Sequence, residues 1–483
     1  MRIVLVHPAG SNWFPGHRDI TPVANRMAPL GLLSLAAYLE RQGHDVMVHD
    51  CLGPLAPKEG REANVAEILA FDPELVGFST TTSAFPDAAA MCELIKAERP
   101  EVRTIAGGVH VSSMGAPLLE RFPSLDYLCM GEGEMTTNEL ASGRARGSIG
   151  GLIWRDDDTV VTNPPRDQLP ELDSLPLPAY HKLQNFPKGY HLPLFNYIRP
   201  PGATLTTSRG CLYQCSYCDR SVYGRTYRYN SAEYVYEHMR YLGEHFGVRH
   251  INVYDDLFTT HRKRIAELCE MLQRKPLGMR FNCALRVGHG DAELLEMLHA
   301  AGCLMVSIGI ESGDPKLLEM HKAGVTLDQI RETVANAQAT GLRVKGLFMI
   351  GLPGETEESI RRTGNFAVDL GLDDLNYAKF TPFPGAPIYQ TIHDWGEFDE
   401  DWALMNCLNF VFRPRDIPSV ARLNELYADE INHFYRSTAW RKKFARRLWQ
   451  NRHSLGRLVR HMPSFLAAKR TFNEMAEEGK GGH

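Results

Sequence analysis

Apolar positions in the first 145 residues fall in short unbroken runs, separated by stretches with helical spacing. IVLV at 3–6 predicts a strand, PLGLLSLAAYLERQG at 29–43 a helix closed by Gly43, and DVMVHD at 45–50 a second strand. LVGFS at 75–79, VRTIAGG at 102–108 and DYLCM at 126–130 predict three more, with helices between them. Strands that are apolar throughout are buried on both faces, so the pattern predicts a parallel sheet covered by helices. The fold class expected for 1–145 is therefore α/β and doubly wound (Rossmann-like), with a ligand crevice beyond the carboxyl ends of the strands.

The pattern changes at 146–200. GLIWRDDDTVVTNPP reads as a small hairpin, and a proline-rich crossing, LPELDSLPLPAYHKL, reads as a linker. Tyr190, Phe195 and Tyr197 either line a cavity or fill a core. Alternation resumes at 201–390, with strands expected at 203–208, 250–258, 279–286, 304–312, 343–354 and 375–385. Six strand–helix units predict a partial (β/α)6 barrel, whose chemistry belongs at the strand carboxyl ends. Those ends carry a cysteine loop, Asp255 and Asp256, Arg286, Glu311 and the 351–354 loop. Residues 391–483 read as mainly helical. From Arg436 to Arg470 there are eleven Lys or Arg and no Asp or Glu. Trp440, Phe444 and Leu448 form an apolar stripe there, continued by Leu455, Leu458, Val459, Met462, Phe465 and Leu466. Such a stripe either caps the barrel or lies reversibly at an anionic membrane surface; the capping role is the one expected.

Composition narrows the class. A chain of 483 residues exceeds one ordinary core. A net charge of -5 gives no reason to expect nucleic acid. No signal peptide and no run of eighteen apolar residues is recognised. Seven of the ten cysteines are scattered in mostly apolar stretches, the habit of reduced thiols in a cytoplasmic protein.

The other three are Cys211, Cys215 and Cys218 in TSRGCLYQCSYCDRSVYG, residues 207–224. Thiolates are soft ligands, suited to iron or zinc. Structural zinc needs a fourth protein ligand, and His245, His250 and His261 do not stand at usual finger spacings. A cubane held by three thiolates keeps one iron open to a chelating substrate.

C-x3-C-x2-C behind Arg209–Gly210, with Tyr217 before the last cysteine, resembles the radical S-adenosylmethionine superfamily. VYDDLF, MVSIGIESG, FMIGLPGET and FTPFPGAP follow in the order of that family's later strand motifs. The resemblance spans nearly all of 201–390. It implies a 4Fe–4S cluster on the three cysteines, and cleavage of S-adenosylmethionine to methionine and a 5'-deoxyadenosyl radical. It also implies S-adenosylmethionine contacts from Asp255 or Asp256, Arg286, Ser307, Glu311 and Gly351. Each has a plainer reading: a helix cap for the acids, an ion pair for Arg286, loop geometry for Gly351.

The first 145 residues resemble the cobalamin-binding domain of one branch of that superfamily. This branch includes the anaerobic magnesium-protoporphyrin IX monomethyl ester cyclase and cobalamin-dependent radical methylases. The residues carrying the likeness are Pro8, the 29–46 segment, STTT at 79–82, GGVH at 107–110 and GEGE at 131–134. It implies cobalamin contacts from Pro8, Ser79, Thr80, Thr81, Gly107, Gly108, His110, Gly131 and Glu132. The usual Asp-x-His-x-x-Gly motif is broken: DCLG at 50–53 has no histidine two places after Asp50. Cobalamin without a lower histidine is the expectation.

The activity implied is hydrogen abstraction from an unactivated carbon, followed by methyl transfer from cobalamin. A radical cyclase or a C–C or C–O bond-forming enzyme is the alternative, and a non-catalytic corrinoid or cluster sensor a more distant one. GIESG in place of the cyclase's alanine-containing version argues against a porphyrin cyclase. Expected partners are a small-molecule substrate, with lipid or tetrapyrrole as candidates, and an electron donor such as flavodoxin or ferredoxin.

Overall fold

The computed structural model describes residues 1–10, 25–57, 60–169, 171–193, 196–460 and 462–463. Phe195, Phe465 and Leu466 lie outside them, as do the side chains of Arg446, Arg447, Arg457 and Leu458.

The first layer alternates β1 (Arg2–His7), α1 (Leu30–Arg41), β2 (Asp45–Asp50), α2 (Arg61–Ala70), β3 (Leu75–Ser79), α3 (Phe85–Glu98) and β4 (Arg103–Gly107). Then come α4 (Val109–Met114), α5 (Ala116–Arg121), β5 (Tyr127–Cys129) and α6 (Gly133–Ala141). The five strands are parallel, in the order β2-β1-β3-β4-β5. All four residues from Ile3 to Val6 are buried, as apolar strands sandwiched by helices must be. The strand order reverses between β1 and β3, and the crevice of such a sheet opens at that point.

The hairpin is β6 (Leu152–Asp156) and β7 (Thr159–Thr162). It does not stand in the crossing. β6 pairs antiparallel with β5 and lengthens the first sheet to seven strands. Leu152 and Ile153 supply the reason, since both are fully buried.

The second layer begins with β8 (Gly202–Leu205). A two-residue ladder, β9 (Ser208–Arg209) with β10 (Arg228–Tyr229), then brackets the cysteine loop. The alternation continues with α7 (Ala232–Phe246), β11 (His250–Val253), α8 (Arg262–Arg274), β12 (Arg280–Arg286), α9 (Ala292–Ala300) and β13 (Cys303–Glu311). It ends with α10 (Pro315–His321), α11 (Leu327–Ala339), β14 (Arg343–Ile350), α12 (Glu357–Asp369) and β15 (Asp374–Lys379). Six parallel strands stand in the order β15-β14-β13-β12-β11-β8, an open barrel wound in sequence. Helix starts are marked chemically: Thr326 and Thr356 each form a reciprocal capping box.

The last part contains the short pair β16 (Gly396–Phe398) and β17 (Phe412–Pro414), then α13 (Val420–Arg436), α14 (Thr438–Gln450) and α15 (Leu455–Arg460). Helix α13 packs so close to α12 that a Cβ on Gly364 would overlap the Glu430 carboxylate. On α14, Trp440 stacks on Phe444 at 4.5 Å, meets Tyr435 at 4.8 Å and packs on the barrel core. Trp440 and Phe444 thus pack inward, whereas Leu455 and Val459 of the same stripe are exposed. Among the described residues no helix is long and apolar enough to cross a membrane.

Candidate functional site

The cysteine loop leaves β8 through Thr207 and Ser208. Buried Asp255, just past β11, accepts from the Thr207 N–H at 2.5 Å, from the Thr207 hydroxyl and from the Ser208 N–H at 3.3 Å. Arg264 lies 3.8 Å from the same carboxylate. These contacts occupy Asp255 in anchoring the loop, which corrects its candidacy for cofactor contact. Asp256 faces the other way. It lines a cavity of about 200 Å³ with Ser34, Thr206, Asn230, Tyr234 and Tyr254. Burial raises its pKa, opposed by a hydrogen bond from the Gly210 N–H.

Gly210 has φ +91, and a Cβ there would collide with the Thr226 carbonyl; this is why glycine precedes Cys211. The loop is pinned again at Ser216, whose hydroxyl lies 2.7 Å from His321 Nδ1 and whose carbonyl accepts from Ile388. Cys215 is buried, while Cys211 and Cys218 are half-buried. A hydrogen bond from Cys218 holds Cys215 toward thiolate, against the cost of burial. Tyr217, Lys322 and Arg286 reinforce it. The same bond pushes the Cys218 thiol up, and burial pushes Cys211 up. Thiolate is the form that binds metal. Among the described residues no three His, Cys, Asp or Glu side chains gather closely enough to hold one ion. A cubane asks for something else, since each thiolate binds a different iron. The donor set fits a cluster, which would be held by these three sulfurs.

Two candidates stand against the loop, and a third lies along β13. Arg286, at the end of β12, places Nη1 3.8 Å from Cys215 Sγ and its guanidinium 3.6 Å above the Tyr213 ring. Glu311 ends β13 with φ +69 and pairs with Lys322 at 2.8 Å. Ser307 is half-buried in β13, level with Ala284 and Lys345. Gly351 has φ +92, and its N–H donates to Glu355, a residue not singled out from sequence. Burial pushes the Glu355 carboxyl up to about 8, and its Oε1 has no partner among the described residues.

A second cavity of about 330 Å³ opens at the carboxyl edge of the first sheet. Ser79, Thr80, Thr81, Gly107, Gly108, Gly131 and Glu132 all line it. Its floor is Gly77 between Leu5 and Ile105, where a Cβ would stand 3.2 and 3.3 Å from their methyl groups. Gly108 has φ +102, and a Cβ would come within 2.6 Å of the Thr80 carbonyl. No histidine is among its described lining residues. A deep, glycine-floored, largely apolar slot fits a limb of a large organic cofactor.

Two of the expected contact residues stand outside this lining. His110 does not reach this cavity. Helix α4 turns it inward, fully buried, 4.7 Å from Phe85 and 4.5 Å from Trp402, and burial lowers its pKa to about 4. Pro8 is buried and lies outside the described lining. Asp50 of DCLG is likewise structural, held by His7 at 2.8 Å and the Tyr190 hydroxyl at 2.9 Å. Tyr197 packs on His250 and His453.

The wall of the glycine-floored cavity is completed from the other half of the molecule. Arg209, Val222 and Tyr223, on either side of the three cysteines, close it. Arg209 reaches Glu132 at 2.5 Å and Glu134 at 2.7 Å, and Arg228 reaches Glu132 at 3.0 Å. Arg228 and Arg209 hold the Glu132 carboxyl low although burial opposes it.

Comparison with known proteins follows the same division. The radical SAM superfamily model matches residues 205–367, and the B12 binding domain model matches residues 17–141. An uncharacterized methyltransferase of Pyrococcus horikoshii is 31% identical over 399 residues, covering 81% of this chain and 83% of that protein. The anaerobic magnesium-protoporphyrin IX monomethyl ester cyclase of Rubrivivax gelatinosus is 28% identical, over 82% of this chain and 70% of its own. Among solved structures, the cobalamin-dependent S-adenosylmethionine radical enzyme OxsB, with aqua-cobalamin and S-adenosylmethionine bound, shares the fold. Its TM-score is 0.69 at 18% identity, over 94% of this chain and 71% of that one.

Proposed function

The chain belongs to the cobalamin-binding radical S-adenosylmethionine enzymes, and from that premise we propose that it methylates an unactivated carbon of a small-molecule substrate. The observation carrying this reading is the shared wall. The loop of Cys211, Cys215 and Cys218 closes the glycine-floored cavity of the first sheet, so two cofactor sites would adjoin. When bound, the cluster with S-adenosylmethionine supplies a carbon radical and cobalamin supplies a methyl group.

The protein's own part is to bind, orient and exclude water. Cys211, Cys215 and Cys218 would hold the cluster. Asp256, bonded only from the Gly210 N–H in the contacts described above, would be the carboxylate for the methionine amino group, and Arg286 the cation for its carboxylate. Ser307, Glu311 and Gly351 would line the remainder of that cofactor's site. Ser79, Thr80, Thr81, Gly107, Gly108, Gly131 and Glu132 would cradle a limb of cobalamin, and no histidine is among the described residues lining that cavity. An electron donor of the flavodoxin or ferredoxin kind would reduce the cluster.

The similarity to the cyclases supports a second reading, radical bond formation without methyl transfer. One experiment separates them without knowing the substrate. Reduced, anaerobically reconstituted protein is given S-adenosylmethionine with or without hydroxocobalamin. Methyl transfer predicts S-adenosylhomocysteine formed only when cobalamin is present and, with no substrate to take the methyl group, in an amount capped by the cobalamin bound. 5'-Deoxyadenosine without any S-adenosylhomocysteine would favour the cyclase-type reading.

A further inference from the structure

The ion network on the shared wall is buried where a clamp made for stability alone would not need to be. Side-chain exposure is 16% for Arg209, 13% for Arg228 and 6% for both Glu132 and Glu134. Burying charges costs several kcal/mol per ion unless the geometry is well satisfied. Here two guanidiniums face two carboxylates, and of their fully buried polar atoms only Nε and Nη2 of Arg228 find no partner among the described residues. Arg209 spends its planar fork on two different partners, in a pre-organised geometry that a flexible lysine ammonium does not reproduce.

Position adds the rest. Arg209 stands two residues before Cys211 and borders both cavities, with Tyr223. Its partners open α6, where Gly131, Glu132 and Gly133 form the opposite edge of the glycine-floored cavity. These two ion pairs tie the start of α6 directly to the start of the cysteine loop, so a shift of α6 on filling that cavity would be passed on through them.

We propose that Arg209 is a positioning residue that couples the cobalamin groove to the cluster loop. This rests on the cobalamin reading above. Arg209→Gln would leave Glu132 and Glu134 facing Arg228 alone. Arg209→Gln/Glu134→Gln restores the balance of charge without restoring the link, which separates a charge defect from a positioning defect.

The test uses full-length protein with a reconstituted cluster and hydroxocobalamin as probe. It measures iron content, cobalamin affinity, and the change that cobalamin causes in the reduced cluster's electron paramagnetic resonance spectrum. Wild type should bind cobalamin and show that change. The double variant should keep its iron and melting temperature, lose affinity by about tenfold or more, and lose the spectral change. Arg209→Lys should recover part of both. Two results overturn the proposal. One is affinity within about twofold of wild type with the spectral change intact. The other is joint loss of iron, cobalamin and stability in the double variant, which would make the network a fold clamp. If wild type itself holds no cobalamin, the underlying reading fails first, and this inference with it.

Discussion

Gly77 and Glu355 carry predictions that need no substrate. Valine at 77 suits a strand but fills the floor between Leu5 and Ile105. Gly77→Val should reduce cobalamin retention by about tenfold or more and leave cluster iron unchanged; equal retention would remove the cavity from the account. Glu355 has a folded pKa near 8 against an ordinary 4.5. The folded state therefore keeps a proton that the unfolded state releases. Its stability contribution is present below about pH 4.5 and is lost as pH rises to 8, at about 1.4 kcal/mol per pH unit for one proton. Glu355→Gln should flatten that decline in a series of unfolding curves, and an unchanged slope would contradict the burial argument. At this scale the sequence was partly legible. Cysteine spacing pointed to a cluster because loop ligands lie close together in the chain. Asp255 and Asp256 could not be told apart, because which carboxylate faces the cavity depends on the backbone at the end of β11. Arg209 with Glu132 escaped notice because an ion pair across 77 positions leaves no local pattern.

Helix α14 puts the basic tail to the test. Trp440 is half-buried on Tyr435, Phe444 and the barrel core, whereas Trp449 is 73% exposed. Trp440→Ala should cost about 2 kcal/mol, and Trp449→Ala should stay within about 0.5 kcal/mol; denaturant titration checks both. Equal losses would mean that α14 docks on a different face. Helical spacing located this stripe but could not say whether barrel or lipid covers it, since both accept the same apolar face. The hairpin β6–β7 shows the same limit. Its turn was readable, but its attachment to β5 depends on register with a strand more than twenty residues earlier. The strands of both sheets were legible because buried parallel strands are apolar along their whole length.

Across the whole molecule, two sheets present their carboxyl edges to one wall, and α13 and α14 brace the barrel. With Trp440 packed on the barrel, the capping role predicts that the chain does not float with anionic vesicles at low salt; salt-sensitive flotation lost on removing 436–470 would overturn it. The central claim is that one chain holds a cluster on Cys211, Cys215 and Cys218 beside a cobalamin without a histidine below cobalt. The most direct measurement is electron paramagnetic resonance of anaerobically reconstituted protein loaded with hydroxocobalamin and partly reduced, with iron counted on the same sample. The account predicts about four iron per chain, lost when the three cysteines become alanine, and a cob(II)alamin signal without nitrogen splitting from an imidazole. Full iron in the triple variant, a histidine-split cobalt signal, or no retained corrinoid would contradict it.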